Sequence, residues 1–370
     1  MKITDVTLTL FAWDGVPETY YGMSGKYAAG GNRQLGLLRI ATDEGVEGHS
    51  FLGSSAWGAN LDGPALIEFL KPRIMGENPL LREKLFLSIA PFAIATGYRA
   101  VGAIDVALWD LAGKVANLPL YQLLGGVRES MPAYASSAVL DRIEAYTEEA
   151  QSFKANKWAA YKIHPWGEPE RDIKLCEAVR KAVGDDYRVM LDSTWSYKFP
   201  QALAVGKVIE ELGYYWYEDP LRHDDIYGYK KLKQALKIPL MATEMSSGGY
   251  QSYGPWLVEG ATDYLRGDMA IKGGITSMLK TAHLAESFYM NYEIHHGGNS
   301  LNNVGNLHVA CAIGNTEFFE VLLPAAAQKY GLVEDIEVDA QGMVHVPKKP
   351  GLGAEIDFAL IEAKKIAVLK

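Results

Sequence analysis

The chain has only two cysteines in 370 residues, Cys176 and Cys311, far too few for a disulfide-stapled scaffold. Both sit in apolar, helix-like contexts (KLCEAVR and HVACAI), so they read as buried free thiols in a reducing compartment. No stretch approaches the roughly 18 consecutive apolar residues that span a bilayer. The first residues, MKITDVTLTLFAWDG, alternate like a strand and lack an apolar leader with a cleavage site. The expectation is a cytoplasmic protein with no membrane partner. Basic excess is missing too: 36 Lys and Arg against 45 Asp and Glu give a net charge of −9, which leaves no footprint for nucleic acid. An anionic ligand would therefore need a locally positive site. No low-complexity tract interrupts the chain.

What is present, at 48% apolar composition, suffices for a large core and more than one domain. The second half carries six polar strand ends, Asp192, Glu218, Glu244, Asp268, His295 and Glu320, separated by 26, 26, 24, 27 and 25 residues. That interval is the length of one strand, one helix and two loops of a parallel β/α unit. Each polar residue ends a short apolar run (RVMLD, YYWYED, PLMATE, DYLRGD, NYEIH, EFFE), the pattern of a strand buried on both faces. Two earlier runs, MPAYASS at 131–137 and AAYKIHP at 159–165, bring the total to eight. Helices are credible between them. EPERDIKLCEAVRKAVG has Pro near its start, acids in its first turn and a glycine stop, and FPQALAVGKVIEELG repeats the pattern. The α/β pattern predicts a modified TIM-type (β/α)7β barrel whose polar strand ends gather at the C-terminal rim, where barrel enzymes place their chemistry.

Before the barrel, KITDVTLTLFAW and RQLGLLRIATDEGVEGHSFLG suggest antiparallel strands, the second turning at Asp43-Glu44-Gly45. The Gly- and Tyr-rich segment 16–32 is a candidate lid or a plain surface loop, and 49–56 is a second candidate lid. Residues 62–124 look helical, Leu118-Pro119 stops the last helix, and Gly125-Gly126 marks a linker. The predicted division is an α+β capping domain at 1–125, the barrel at 126–323 and a segment at 324–370 that returns to the capping domain.

Asp192, Glu218 and Glu244 fall on successive strands. Three convergent carboxylates repel one another unless a cation sits among them, and hard oxygen ligands at this count suit Mg2+. The alternative is that each acid caps a helix or meets a surface Arg. Lys162 and His164 are two residues apart on the second strand, hence on one side of it, the barrel interior. A lysine beside a divalent cation would have a lowered pKa, suited to proton transfer or to neutralising an anionic substrate. The plainer reading is a snorkelling Lys and a satisfied core His. Asp268 and His295 end neighbouring strands, so the carboxylate can take the imidazole Nδ1 proton and raise its basicity. His296 competes with His295 because strand residues alternate inside and outside.

Together these residues resemble the enolase superfamily, and within it the mandelate racemase-like subgroup. RIATDEGVEGHS is similar to the family's N-terminal hairpin, AIDVALWDLAGKVANLPLYQLLGG to its domain-junction signature, and DMAIKGGIT to its sixth-strand motif. The resemblance covers nearly the whole chain. It implies Asp192, Glu218 and Glu244 as Mg2+ ligands, Lys162 and His164 as a catalytic pair and Asp268 and His295 as a dyad. Glu320 is implied as the acid that hydrogen-bonds the substrate carboxylate. The chain departs from the family pattern in places: Lys162-Ile163-His164 replaces the usual Lys-x-Lys, and Thr194 stands where many relatives carry Asn. Asp268, rather than a lysine, argues against the muconate-cycloisomerase-like subgroup.

The implied chemistry is removal of a proton α to a carboxylate, with Mg2+, Lys162 and a protonated Glu320 stabilising the enolate. An acid sugar would then lose its β-hydroxyl, His295 or His164 acting as general acid, to give a 2-keto-3-deoxy acid. Ser136, Trp195, Arg222, His223 and Asn299 are candidate contacts for a polyhydroxylated small-molecule carboxylate. A racemase, epimerase or cycloisomerase using the same enolate is the alternative, and a non-catalytic sugar-acid-binding barrel a third. A homo-oligomer, dimer to octamer, is expected.

Overall fold

The computed structural model describes residues 1–22 and 28–370. Two long strands, β1 (Ile3–Tyr20) and β2 (Ala28–Thr42), pair antiparallel, and β3 (Glu47–Leu52) pairs antiparallel with β2. Val6, Leu8 and Leu10 alternate along β1 and bury one face of the sheet. The strands run further than composition suggests. Val16 pairs with Gly31, Thr19 with Ala29 and Tyr20 with Ala28, so much of the expected lid at 16–32 is a two-stranded ribbon. Glycines explain the difference: Gly15, Gly30 and Gly31 take φ of 68°, 151° and 74°, bending the ribbon where its register shifts without ending the strands. Residues 23–27 of that expected lid lie outside the described residues. In the second expected lid, His49 to Leu52 belong to β3, and loop begins only after them.

The sheet packs on a long helix, Ala93–Ala116, kinked at Gly97. Ala100, Ile104, Ala107, Leu108 and Leu111 of the helix share a core with Val6, Leu8, Leu38 and Ile40. Contact is close enough that a Cβ on Gly48 would stand 2.0 Å from the Ala107 carbonyl oxygen. The run Arg82–Ala116 is apolar and long enough to match a membrane span by composition, and this core is where its apolar side chains go. Two buried acids tie the helix to its surroundings. Asp105 accepts from the Thr276 N–H (2.8 Å) and hydroxyl (2.6 Å). Asp110 accepts from the His49 N–H (2.9 Å), the Leu352 N–H (2.9 Å) and Lys114 (2.6 Å). The AIDVALWDLAGK segment thereby joins sheet, barrel and C-terminal segment.

Eight parallel strands form the barrel: β4 (Ser130–Ser136), β5 (Ala160–Ile163), β6 (Arg188–Asp192), β7 (Tyr217–Glu218), β8 (Leu240–Ala242), β9 (Tyr264–Gly267), β10 (Asn291–Ile294) and β11 (Phe319–Leu322). β11 returns beside β4. Between β10 and β11 the Tyr292 N–H donates to the Asn315 carbonyl (2.8 Å) and the Glu293 carboxylate accepts from the Glu317 N–H (3.0 Å), so the sheet is nearly closed. Helices at Ile143–Ala155, Pro169–Val183, Phe199–Glu211, Ile226–Ala235, Gly254–Val258, Ile275–Ser287 and Ser300–Ala312 connect the strands in a (β/α)7β order. After β11 the chain turns back, β12 (Met343–His345) pairing with β4 and β13 (Lys365–Leu369) with β1. Cys176 and Cys311 are buried free thiols, pushed up to about 12 by burial.

The barrel floor is apolar: Tyr134, Ala160, Met190, Trp216 and Phe318 pack together, with Tyr264 against them. Two residues further along these strands, on the same face, stand Ser136, Lys162, Asp192, Glu218, Glu320 and Arg266. The period of two thus converts an apolar plug into a charged layer directly above it.

Asp110→Ala should leave the His49 and Leu352 N–H groups without an acceptor, at about 1–3 kcal/mol each. The expected result is a fall of about 2–4 kcal/mol in unfolding free energy from urea titration; an unchanged midpoint would show that this tie does not hold the domains together.

Candidate active site

Lys162 is buried at the centre of the charged layer. Its Nζ lies 3.1 Å from Asp192 Oδ2, 3.0 Å from Glu218 Oε2 and 2.7 Å from Glu320 Oε1. Burial and Arg266 both push this ammonium down, but Glu218 and Glu320 outweigh them and hold it well above its ordinary value. The surrounding carboxylates thus favour the ammonium form. His164, also buried, has Nδ1 2.6 Å from the Ser137 carbonyl oxygen and Nε2 3.1 Å from Asp192 Oδ2.

Asp192, Glu218 and Glu244 converge, each offering an oxygen within 4.8 Å of the others. Burial raises Asp192, yet Lys162 and His164 bring it below the usual carboxylate range, whereas burial pushes Glu218 up to about 7. An octahedral Mg2+ with oxygens at about 2.1 Å needs neighbouring ligands roughly 3–4 Å apart, close to this spacing. Charge also fits: the carboxyl groups of this contact network (Asp192, Glu218, Glu244, Asp268, Glu320) outnumber its two permanent cations, Lys162 and Arg266, an excess that a divalent cation would reduce.

On the other flank His295 Nδ1 lies 2.5 Å from Asp268 Oδ2, and its Nε2 is 3.6 Å from Glu244 Oε1. Burial opposes the imidazolium, but Glu244 and Asp268 raise His295 to about 9. His295 lines the cleft. Its neighbour His296 is buried against Phe319, with ring centroids 3.9 Å apart, and burial pushes it down to about 3. The backbone of His296, not its ring, serves the site, by donating to Glu320 Oε2 at 3.0 Å.

Glu320 faces Lys162 and, at 2.5 Å, Arg266 Nη2. Burial favours the neutral acid, but the two cations outweigh it and keep the carboxyl well below its usual range.

Of the candidate sugar contacts, Trp195 and Asn299 line the cleft, while Ser136, Arg222 and His223 do not. Arg222 is mostly exposed and pairs with Asp224 (3.4 Å). Asn299 is committed to the fold: its amide donates to the Gly53 carbonyl (2.8 Å) and its oxygen caps the following helix at the Asn302 N–H (2.9 Å).

Residues 145–360 match the family described as enolase C-terminal domain-like, and 26–125 match the mandelate racemase / muconate lactonizing enzyme N-terminal domain. The chain belongs to the enolase superfamily, in its mandelate racemase-like subgroup. It is 27% identical to an arabinonate dehydratase of Saccharolobus solfataricus over 98% of this chain and 99% of that one. It is 28% identical to a D-galactarolactone cycloisomerase of Agrobacterium fabrum over 87% and 88%. The solved structure of D-glucarate dehydratase from Agrobacterium tumefaciens complexed with magnesium superposes with a TM-score of 0.88, at 34% identity over 99% of this chain and 100% of that one.

Within this superfamily barrel, sequence reasoning missed two groups. Arg266 is fully buried on β9, its Nε against Glu218 Oε1 and 3.5 Å from Glu244 Oε2. The signal was there, since Arg266 precedes Asp268 by two and must share its face. Tyr21 reaches in from the N-terminal domain, its ring edge-on to His164 at 5.7 Å and its hydroxyl accepting from Gln328 (2.7 Å). No sequence pattern marks a contact of that range.

Arg266→Met would leave Glu218 and Glu320 buried with Lys162 as their remaining close cation. Breaking a buried pair from one side costs about 3–5 kcal/mol, so chemical denaturation of the metal-free protein should show a loss of that order. Wild-type stability in Arg266→Met would mean the carboxylates need no such counter-charge.

Proposed function

We propose that this chain is a Mg2+-dependent acid-sugar dehydratase, a hydro-lyase that removes the proton α to a sugar carboxylate and expels the β-hydroxyl as water. The product is a 2-keto-3-deoxy acid. One observation carries the reading: the Asp192, Glu218 and Glu244 carboxylates are flanked by two sets of groups able to transfer protons, Lys162 on β5 with His164 just past its end, and His295 with Asp268 just past the ends of β10 and β9. Elimination needs one group to take a proton and another to give one to the leaving oxygen. Relatives named as arabinonate and D-glucarate dehydratases support the substrate class.

Asp192, Glu218 and Glu244 would hold the cation. When bound, Mg2+ supplies charge neutralisation for the carboxylate oxygens of the enolate. Lys162 donates from Nζ to the same substrate carboxylate, exchanging part of its contact with Asp192 and Glu218. His164 would donate from Nδ1 to the Ser137 carbonyl and take the α-proton at Nε2, the nitrogen that here faces Asp192 Oδ2, once that acid is engaged with the cation. The C–H electron pair enters the enolate, which collapses with cleavage of the β C–O bond. His295, protonated at neutral pH, gives its Nε2 proton to the departing hydroxyl. The resulting enol becomes the keto acid by gaining a proton at C3 and losing its O–H proton. Ionised Glu320 holds Lys162 in place throughout.

The cycloisomerase relative favours a second reading in which the same groups return the proton to carbon instead of expelling water. A screen of mono- and diacid sugars with Mg2+, read by mass, separates them: loss of water supports the dehydratase, and an isomer of unchanged mass supports the alternative.

EDTA should abolish turnover. Calorimetry should show Glu218→Gln binding Mg2+ at least about ten-fold more weakly than the parent, and full activity in chelator would sink the metal assignment.

His164→Ala should lower kcat by about 10²–10⁴ with little change in KM, as for a group acting mainly in the transition state. His295→Asn should stop elimination while α-proton exchange with D2O persists. A raised KM with unchanged kcat in His164→Ala would make it a binding residue and pass the first proton transfer to Lys162.

A further inference from the structure

The cleft has a second wall, built by the N-terminal domain from Tyr21, Phe51, Trp57, Ala103, Val106 and Arg99. Besides Lys162 and the two histidines, Arg99 is the one cationic side chain among the described lining residues. Its placement follows from the backbone. Gly97 takes φ 75° and ψ 153°, a conformation that suits glycine, and the turn brings Arg99 into the cleft wall at the start of the buried helix. The guanidinium is steadied on two sides: Nε lies 2.7 Å from Asp62 Oδ2, and its central carbon stands 5.0 Å from the Trp57 ring. Nη1 is buried and has no hydrogen-bond partner among the described residues. Buried donors without an acceptor are rare, and each asks for an explanation. A fork oriented by a carboxylate at Nε and an aromatic ring on its face leaves Nη1 as a donor still to be matched by an acceptor.

We propose that Arg99 anchors the far end of the substrate, and that the substrate is a sugar diacid whose second carboxylate meets Nη1. This rests on the acid-sugar reading above and names its substrate class. One carboxylate is received beside Lys162, and the other lies against the N-terminal wall. A carboxylate fits this wall better than a phosphate. Asp62 already balances the single charge of Arg99, so each added anionic charge goes uncompensated by the described lining residues of this wall, and a dianion would bring twice what a carboxylate brings. A hydroxymethyl end would make only the weaker, uncharged-acceptor hydrogen bond to a guanidinium.

Galactarate and galactonate differ only at C6, carboxylate against hydroxymethyl, and glucarate and gluconate form a second such pair. Binding by calorimetry with Mg2+ present, and kcat/KM where turnover occurs, would be measured for wild type, Arg99→Met, Arg99→Lys and Asp62→Asn, with thermal melting as the folding control. Wild type is expected to favour the diacid of at least one pair by about ten-fold or more. Arg99→Met should erase that preference mainly through KM, Arg99→Lys should restore part of it, and Asp62→Asn should raise the diacid KM by a smaller factor. Equal treatment of both members of each pair by wild type overturns the anchor. So does failure to bind either diacid, or an equal loss on both members in a folded Arg99→Met. Tighter binding of 6-phosphogluconate than of either diacid overturns the carboxylate assignment in favour of phosphate. The two readings fail separately. Diacid preference through Arg99 without loss of water removes the dehydratase and leaves the anchor, while dehydration of mono- and diacids alike removes the anchor and leaves the dehydratase.

Discussion

The site depends on one arrangement, the buried ion network in which Lys162 and Arg266 stand between Asp192, Glu218, Glu244 and Glu320. Carboxylates brought this close out of water would neutralise themselves by taking up protons unless fixed cations opposed it. Each cation touches more than one acid, so neither can move without releasing several charges. That coupling gives the layer a defined geometry before any ligand arrives, and pre-set charge is what stabilises a developing enolate without reorganisation.

The network can exist because of what lies beneath and beside it. Tyr134, Met190, Trp216 and Phe318 close the barrel floor with apolar bulk, which keeps water from entering below. The N-terminal domain covers the rim, and its position is set by two acids on one helix. Asp105 reaches the barrel at Thr276, and Asp110 reaches β3 and the C-terminal segment. Gly102 lets the helix approach so closely that a Cβ would stand 2.4 Å from the Met269 carbonyl oxygen, next to Asp268. The domain junction and the catalytic flank are thus one packed unit. That packing fixes where Tyr21, Trp57 and Arg99 line the cleft.

The barrel and its rim were legible in the sequence because each strand is short, apolar and closed by a single polar residue at a steady interval. Asp192, Glu218 and Glu244 converge for the reason their spacing suggested. What was not legible falls into two kinds. Arg266 sat inside a strand motif, DYLRGD, where attention to the terminal acid hid a charge on the same face. The ionisation of Glu320 and Lys162 could not be read at all without Arg266, since it depends on a partner 54 residues from Glu320 along the chain. The ribbon through Tyr20 was hidden for a different reason. Its glycines are those of a loop, and only the pairing partner across the sheet shows that they bend strands instead. Choosing between His295 and His296 likewise required the neighbouring strand, because alternation alone gives two equivalent answers.

The cations beside Glu320 favour its ionised form, which constrains how an anionic substrate can enter. A carboxylate arriving beside Glu320 would meet like charge, so it has to share cations that are already paired. Lys162 and His295 define such a side of the cleft, and a divalent cation held by the three acids would turn the adjacent negative region into an attractive one. On the proposed reading, a substrate carboxylate would take over part of the hydrogen bonding that Asp192 and Glu218 now accept from Lys162, leaving those acids to hold the cation. The positive charge of that cation would offset the incoming anion, which lowers the cost of bringing it out of water. An anion-binding site built from an excess of acids is consistent with a chain of net charge −9, provided that the acids are already engaged with cations when the substrate arrives.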